Sequence, residues 1–212
     1  QAQPLVQRVV RYEDRSNTGV LSKVVLDNLP TRAWNHNGGN IGFGPDGFLY
    51  VTLGDDALPR NSEDYRTTEG KILRITRDGE AAPGNPWGDS PWPASAFWAM
   101  GLRNSFDFCW HPATKDLYAS ENGPHENDEV NRIERGKSYG WGQAQKMGRI
   151  GLAGQEDPVD VFTRPPSLTG IGAYSGSLYP EAYYGDVFVG AWNTNEVHRA
   201  DLTAPAFKYR PS

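Results

Sequence analysis

Apolar residues along this chain fall in short runs rich in Val, Ile, Leu, Tyr and Phe, broken by glycine, proline and acidic turns. Runs of that length and composition read as strands. They predict strands at Val6–Tyr12, Leu21–Leu26, Asn40–Phe43, Phe48–Leu53, Lys71–Thr76, Phe106–His111, Asp116–Ser120, Glu129–Ile133, Gly176–Tyr179, Val187–Ala191 and Val197–Leu202. Turn signals separate them, among them Pro45-Asp46-Gly47, Arg77-Asp78-Gly79, Pro112-Ala113-Thr114-Lys115 and Tyr184-Gly185-Asp186. No segment sustains the 3.6-residue apolar period of an amphipathic helix, so the chain reads as all-β.

A weak repeat refines that reading. Ile41–Val51 has the form strand, tight turn, strand; Asp107–Tyr118 repeats it, and Tyr183–Val189 followed by Glu196–Asp201 is a looser copy. The repeat is longer than the roughly 40–50 residues typical of propeller blades. The long stretches Ala57–Gly70 and Gly79–Ser95 account for the excess. A β-propeller is the architecture this pattern predicts, as one partial domain over residues 1–212. Such a fold places functional residues on loops at one end of the sheets.

Composition narrows the function classes. With 21 basic and 26 acidic residues, the net charge is −5, which speaks against a nucleic-acid binder with its basic stripe. No run of about 18 apolar residues exists to span a membrane. The start, Gln1-Ala2-Gln3-Pro4, shows no basic or apolar leader pattern. One cysteine, Cys109, allows neither an internal disulfide nor a CxxC motif, and fits a secreted and a cytosolic protein equally.

Gly42-Phe-Gly44-Pro-Asp-Gly47 matches the dinucleotide pattern GxGxxG, but a turn and a second strand follow where that motif needs a helix N-terminus. His36, in Trp34-Asn-His-Asn-Gly-Gly-Asn40, reads either as a loop histidine in a turn or as a general base. Asp55, after Leu53-Gly54, stands at a strand end from which it is able to orient an imidazole. Arg103-Asn104 suits a carboxylate-bearing or quinone ligand, or a structural ion pair. Glu121–Glu129 is the densest acidic loop; it suits Ca²⁺, a hard cation that takes oxygen ligands, or is simply a solvated turn. His111, His125 and His198 have no metal-ligand spacing. There is no GxSxG, HExxH or P-loop.

Taken in order, these segments resemble the soluble quinoprotein sugar dehydrogenases of the glucose/sorbosone dehydrogenase family. The matching stretches are His36–Asp55, Glu69–Ile75 with Asp78-Gly79 and Asn85-Pro86, Gly101–Asn104, Ser120–Pro124, Asp128–Asn131, Tyr139–Trp141 and Tyr184–Val189. The resemblance implies a six-bladed propeller of which this chain covers about three to four blades. It also implies pyrroloquinoline quinone (PQQ) and Ca²⁺ as cofactors, and oxidation of the C1 hydroxyl of an aldose. By the same resemblance His36 is the catalytic base and Asp55 its orienting acid, while Arg103, Asn104, Asn122 and Asp128 line the cofactor. Carbonyls of Gly123 and Pro124 match those that hold the cofactor's Ca²⁺. Glu129 and the Tyr139 carbonyl match part of a second Ca²⁺ site. A cytochrome or quinone electron acceptor and a periplasmic or secreted location are implied too. Asn40 and Phe106 stand where family members often carry Arg and a polar residue, and Asn193 where some members carry Lys. The alternative is a non-catalytic, Ca²⁺-binding propeller of the same family, acting as a binding or structural module.

Overall fold

The computed structural model describes residues 5–144 and 154–202. Four antiparallel sheets follow one another along the chain. β1 (Val6–Asp14) and β2 (Gly19–Pro30) form a two-stranded ribbon. The second sheet holds β3 (Ile41–Phe43), β4 (Leu49–Leu53), β5 (Lys71–Ile75) and β6 (Phe97–Ala99) in sequential order. The third is built likewise from β7 (Ser105–Trp110), β8 (Leu117–Glu121), β9 (Asp128–Ile133) and β10 (Asp160–Phe162). The fourth holds β11 (Leu168–Ala173), β12 (Val187–Ala191) and β13 (Glu196–Ala200). A short α-helix, α1 (Trp141–Ala144), is set between β9 and β10. Among the described residues the sheets do not close on themselves, and no helix is long and apolar enough to cross a membrane.

Period-two alternation explains how the sheets stack. Every residue of β4 is buried, and its side chains divide between two cores. Leu49, Val51 and Leu53 join Val9, Leu26 and Leu29 of the ribbon. Tyr50 turns to the other face, with Phe108, Leu117 and Ala119 of the third sheet. β8 repeats the division: Leu117 and Ala119 face the second sheet, while Tyr118 packs with Leu168, Ile171 and Val189 of the fourth. Each apolar core thus fills one gap between successive sheets.

The predicted strands are present, Val187–Ala191 with the same ends and the others with shifted ends, except one. Gly176–Tyr179 is a run of bends with Leu178 96% exposed, and the strand of that region is β11 instead. Gly170 and Gly172 hide β11 from a propensity reading, because glycine lowers strand tendency and leaves the alternation blank. β6 and β10 are three residues each, too short for a period to show.

Polar ties supplement the cores. Asp107 on β7 accepts from the Asn40 amide beside the second sheet and from the Ile171 N–H of the fourth at 2.9 Å. Lys71 is fully buried on β5 and donates to the carbonyls of Asn61, Asp64 and Glu69, which anchors the long β4–β5 connection. Burial pushes its pKa from 10.5 down to about 8, against the opposing pull of Glu69, Asp64 and Glu63.

Two measurements follow from these ties. Asp107→Ala leaves these two donors and the Phe108 N–H without their acceptor and is expected to cost about 1–3 kcal/mol, read as a lower urea midpoint at unchanged slope. For Lys71 the folded chain releases a proton near pH 8 that the unfolded chain keeps to about pH 10.5. Stability relative to Lys71→Met therefore rises with pH across that window, by at most ~1.4 kcal/mol per pH unit. Parallel pH-dependent melts of the two proteins show it; equal slopes would refute it.

Candidate functional site

The start of β3 pairs with the end of β4, and the start of β7 with the end of β8. Loops that enter and leave these strands therefore meet at one edge of the second and third sheets. His36, Asp55, Arg103, Asn104, Asn122 and Gly123 all lie on those loops.

His36 stands in left-handed backbone at φ 58°, followed by Gly38 and Gly39, also at positive φ. Its carbonyl accepts from the Asp56 N–H at 3.2 Å. Gly54 allows this approach: a Cβ there would lie 2.0 Å from the His36 oxygen. The loop so folded directs the imidazole to Asp55, with Nδ1 donating to Oδ1 at 2.7 Å. Nε2 is left as the nitrogen not engaged by Asp55, and the His36 side chain keeps 13% exposure.

Asp55 is fully buried. Its Oδ1 also accepts from the Ala57 N–H at 2.9 Å, and its Oδ2 accepts from Trp141 Nε1–H at 2.6 Å. Its own N–H donates to the Arg103 carbonyl at 2.7 Å, which locks the His36–Asp55 pair to the strand entry that carries Arg103.

Arg103 is buried, with Nη1 donating to the Asn122 carbonyl at 2.7 Å. Its Nε finds no hydrogen-bond partner among the described residues. Burial lowers its pKa, opposed by the negative charges of Asp55, Glu121 and Asp128. The Asn104 side chain accepts from the Gly38 N–H at 3.0 Å and donates to Asn122 Oδ1 at 3.2 Å. The Asn122 amide in turn donates to the Leu168 carbonyl.

Glu121 is a residue to which sequence reasoning gave no role beyond one charge of an acidic loop. It is a fully buried strand residue that accepts from the Arg103 and Asn104 N–H groups and from Ser105 Oγ–H at 2.7 Å. Burial, with Glu129 adding to it, pushes its carboxyl up to about 8. Its place at the buried end of Tyr118-Ala-Ser-Glu121 was the available signal.

Asp128 accepts from the Gly123 N–H at 2.8 Å and the Leu168 N–H at 3.0 Å, and burial raises its pKa. It thus shapes the Gly123-Pro124 turn. Glu129 Oε2 accepts from the Asn131 amide at 3.2 Å, and Asn131 Oδ1 is a buried acceptor without a partner among the described residues. The Tyr139 hydroxyl donates to the Arg132 carbonyl and accepts from the Glu134 N–H, so its phenol lies at the opposite end of β9 from Glu129. No three His, Cys, Asp or Glu side chains among the described residues converge so as to hold a metal ion. His111 is buried and caps a turn, its Nδ1 accepting from the Ala113 and Thr114 N–H groups.

Residues 2–209 match the sequence profile of a family described as Glucose / Sorbosone dehydrogenase. An aldose sugar dehydrogenase of Escherichia coli (strain K12) is 29% identical over 175 residues, covering 77% of this chain and 47% of that protein. Quinoprotein glucose dehydrogenase B of Acinetobacter calcoaceticus is 34% identical over 152 residues, covering 62% and 31%. The structure of a PQQ-bound aldose sugar dehydrogenase from Streptomyces coelicolor superposes with a TM-score of 0.78 at 32% identity, over 97% of this chain and 58% of that one. The chain spans between about a third and three-fifths of the length of these proteins.

Gly54→Ala drives a methyl group into the His36 carbonyl. It is expected to displace the His36 loop and lower the melting temperature, with the circular-dichroism strand signal kept; an unchanged melt would show that the loop yields freely.

Proposed function

The chain belongs to the glucose/sorbosone dehydrogenase family, and from that premise we propose that it is part of a PQQ-dependent dehydrogenase that oxidises the C1 hydroxyl of aldoses. We read its four sheets as blades of a six-bladed ring completed by further chain. The observation that carries the reading is the His36–Asp55 pair fixed beside a buried arginine whose Nε–H has no partner among the described residues.

The residues fit an acidic quinone. Arg103 Nε–H is a buried donor without a partner among the described residues, and the planar, positively charged guanidinium matches a carboxylate. Asn104 and Asn122, joined by a hydrogen bond, form a polar wall beside it, and Asp128 fixes the turn below. A Ca²⁺ ion here would rest on the backbone carbonyls of Gly123 and Pro124, hard oxygen donors of the kind it takes. At a second Ca²⁺ site, the Glu129 carboxylate and Asn131 Oδ1, which has no partner among the described residues, would offer oxygen ligands together with the Tyr139 carbonyl.

PQQ supplies, when bound, an acceptor for the hydride that leaves C1. The protein's part is the proton. His36 Nε2 takes it from the hydroxyl as the hydride departs, leaving the lactone. Asp55 holds the ring through Nδ1 and balances the imidazolium charge that forms. Arg103 stabilises negative charge developing next to it. The small exposure of His36 keeps bulk water from competing for its free nitrogen.

Titration with PQQ in Ca²⁺, followed by an aldose mixture, tests this directly. The expected result is saturable binding and bleaching of the quinone spectrum by sugar. His36→Ala is expected to keep binding and lose about 10²–10⁴-fold in turnover; full activity in that variant would remove His36 as the base. A chelator is expected to lower the melting temperature, since a resident ion binds only the folded chain; an unmoved melt would argue against resident Ca²⁺.

A further inference from the structure

The indole of Trp141 touches both charged groups of the site. Its Nε1–H donates to Asp55 Oδ2 at 2.6 Å, and its ring lies 5.4 Å from the Arg103 guanidinium carbon. Asp55 Oδ1 serves His36 and the Ala57 N–H. A carboxylate held at one oxygen turns about its Cβ–Cγ bond; held at both, it has one orientation. Trp141 supplies the hold on the second oxygen.

The indole is itself fixed from behind. The Trp141 N–H donates to the Gly101 carbonyl at 2.9 Å, and the Tyr139 N–H to the Met100 carbonyl at 3.0 Å. The Gly101 N–H donates to the Ser62 carbonyl at 2.9 Å. Gly142 then packs so closely on the β4–β5 connection that a Cβ would lie 2.6 Å from Glu63 Cγ. The chain around Trp141 is thus bound to the residues just before Arg103, and the ring is buried.

We propose that Trp141 is a positioning residue: it sets the rotation of Asp55, and through Asp55 the ring of His36, while its face seats Arg103. This rests on reading His36 as the base. Arg103 is the cation facing Asp55, and Glu121 and Asp128 are the further charges acting on Arg103.

The test removes the N–H donor alone. Trp141→Phe does so with a smaller ring. Placing β-(3-benzothienyl)alanine at position 141 does so with the bicyclic shape kept, so a folding defect of the first variant does not decide the matter. Turnover of the PQQ-loaded enzyme is read together with the ring ¹⁵N spectrum of His36, which is resolvable in a chain with four histidines. The parent is expected to show one Nδ1–H tautomer on the neutral ring, and both variants a mixture. The expected loss in kcat is about 10–100-fold, the scale on which outer hydrogen-bond partners of metal-bound histidines act, with KM within about twofold. A single unchanged tautomer with unchanged kcat overturns the proposal, and so does a loss confined to the melting temperature. If His36→Ala stays active, the functional reading fails, yet the ¹⁵N comparison still decides whether Trp141 orients the imidazole.

Discussion

Buried carboxyl groups that accept N–H groups of the backbone, and in one case of an indole, hold this structure in register. The apolar cores press the sheets face to face but say little about where their edges stand. Asp55 draws on Ala57 and Trp141, Glu121 on Arg103 and Asn104, Asp128 on Gly123 and Leu168, Asp186 on Leu202. A carboxylate has lone pairs for several donors at once, so one side chain is enough to pin two or three strands or loops. The same groups would be costly if any donor were missing, because a buried polar or charged group needs its partners.

The site inherits this economy. His36 and Asp55 are one hydrogen bond apart only because Gly54 lets the two loops close on each other. Arg103 is placed from three sides: Glu121 holds its N–H, Asp55 its carbonyl, and Asn122 its guanidinium. Electrostatic work at a reacting centre depends on groups that do not move when charge appears. Here that immobility comes from backbone hydrogen bonds on every flank of the pair.

Much of the fold was readable because the inner strands carry it in period two: Leu49, Val51 and Leu53 against Tyr50, Leu117 and Ala119 against Tyr118. β11 was not readable, since its glycines carry no side chain to alternate, and the exposed Leu178 and Tyr179 imitated a strand. At the site, the ordered motifs pointed to His36, Asp55 and Arg103, and the structure brings these three together. Trp141 escaped because it meets Asp55 across 86 residues of chain, a distance at which no local pattern operates. Glu121 escaped because an acidic residue in an acidic loop looks solvated until its burial is known.

Separate cores between successive sheets have a mechanical consequence. Each gap is a cooperative unit that depends mainly on its two walls, as in quasi-one-dimensional arrays. Opening of the β1–β2 ribbon uncovers Val9, Leu26 and Leu29 and leaves the Tyr50–Phe108 gap intact. The loops of the candidate site rise from the two sheets that enclose that inner gap. Amide hydrogen exchange should therefore be graded along the chain, with the ribbon surrendering its protons well before the strands that flank the loops of His36 and Arg103.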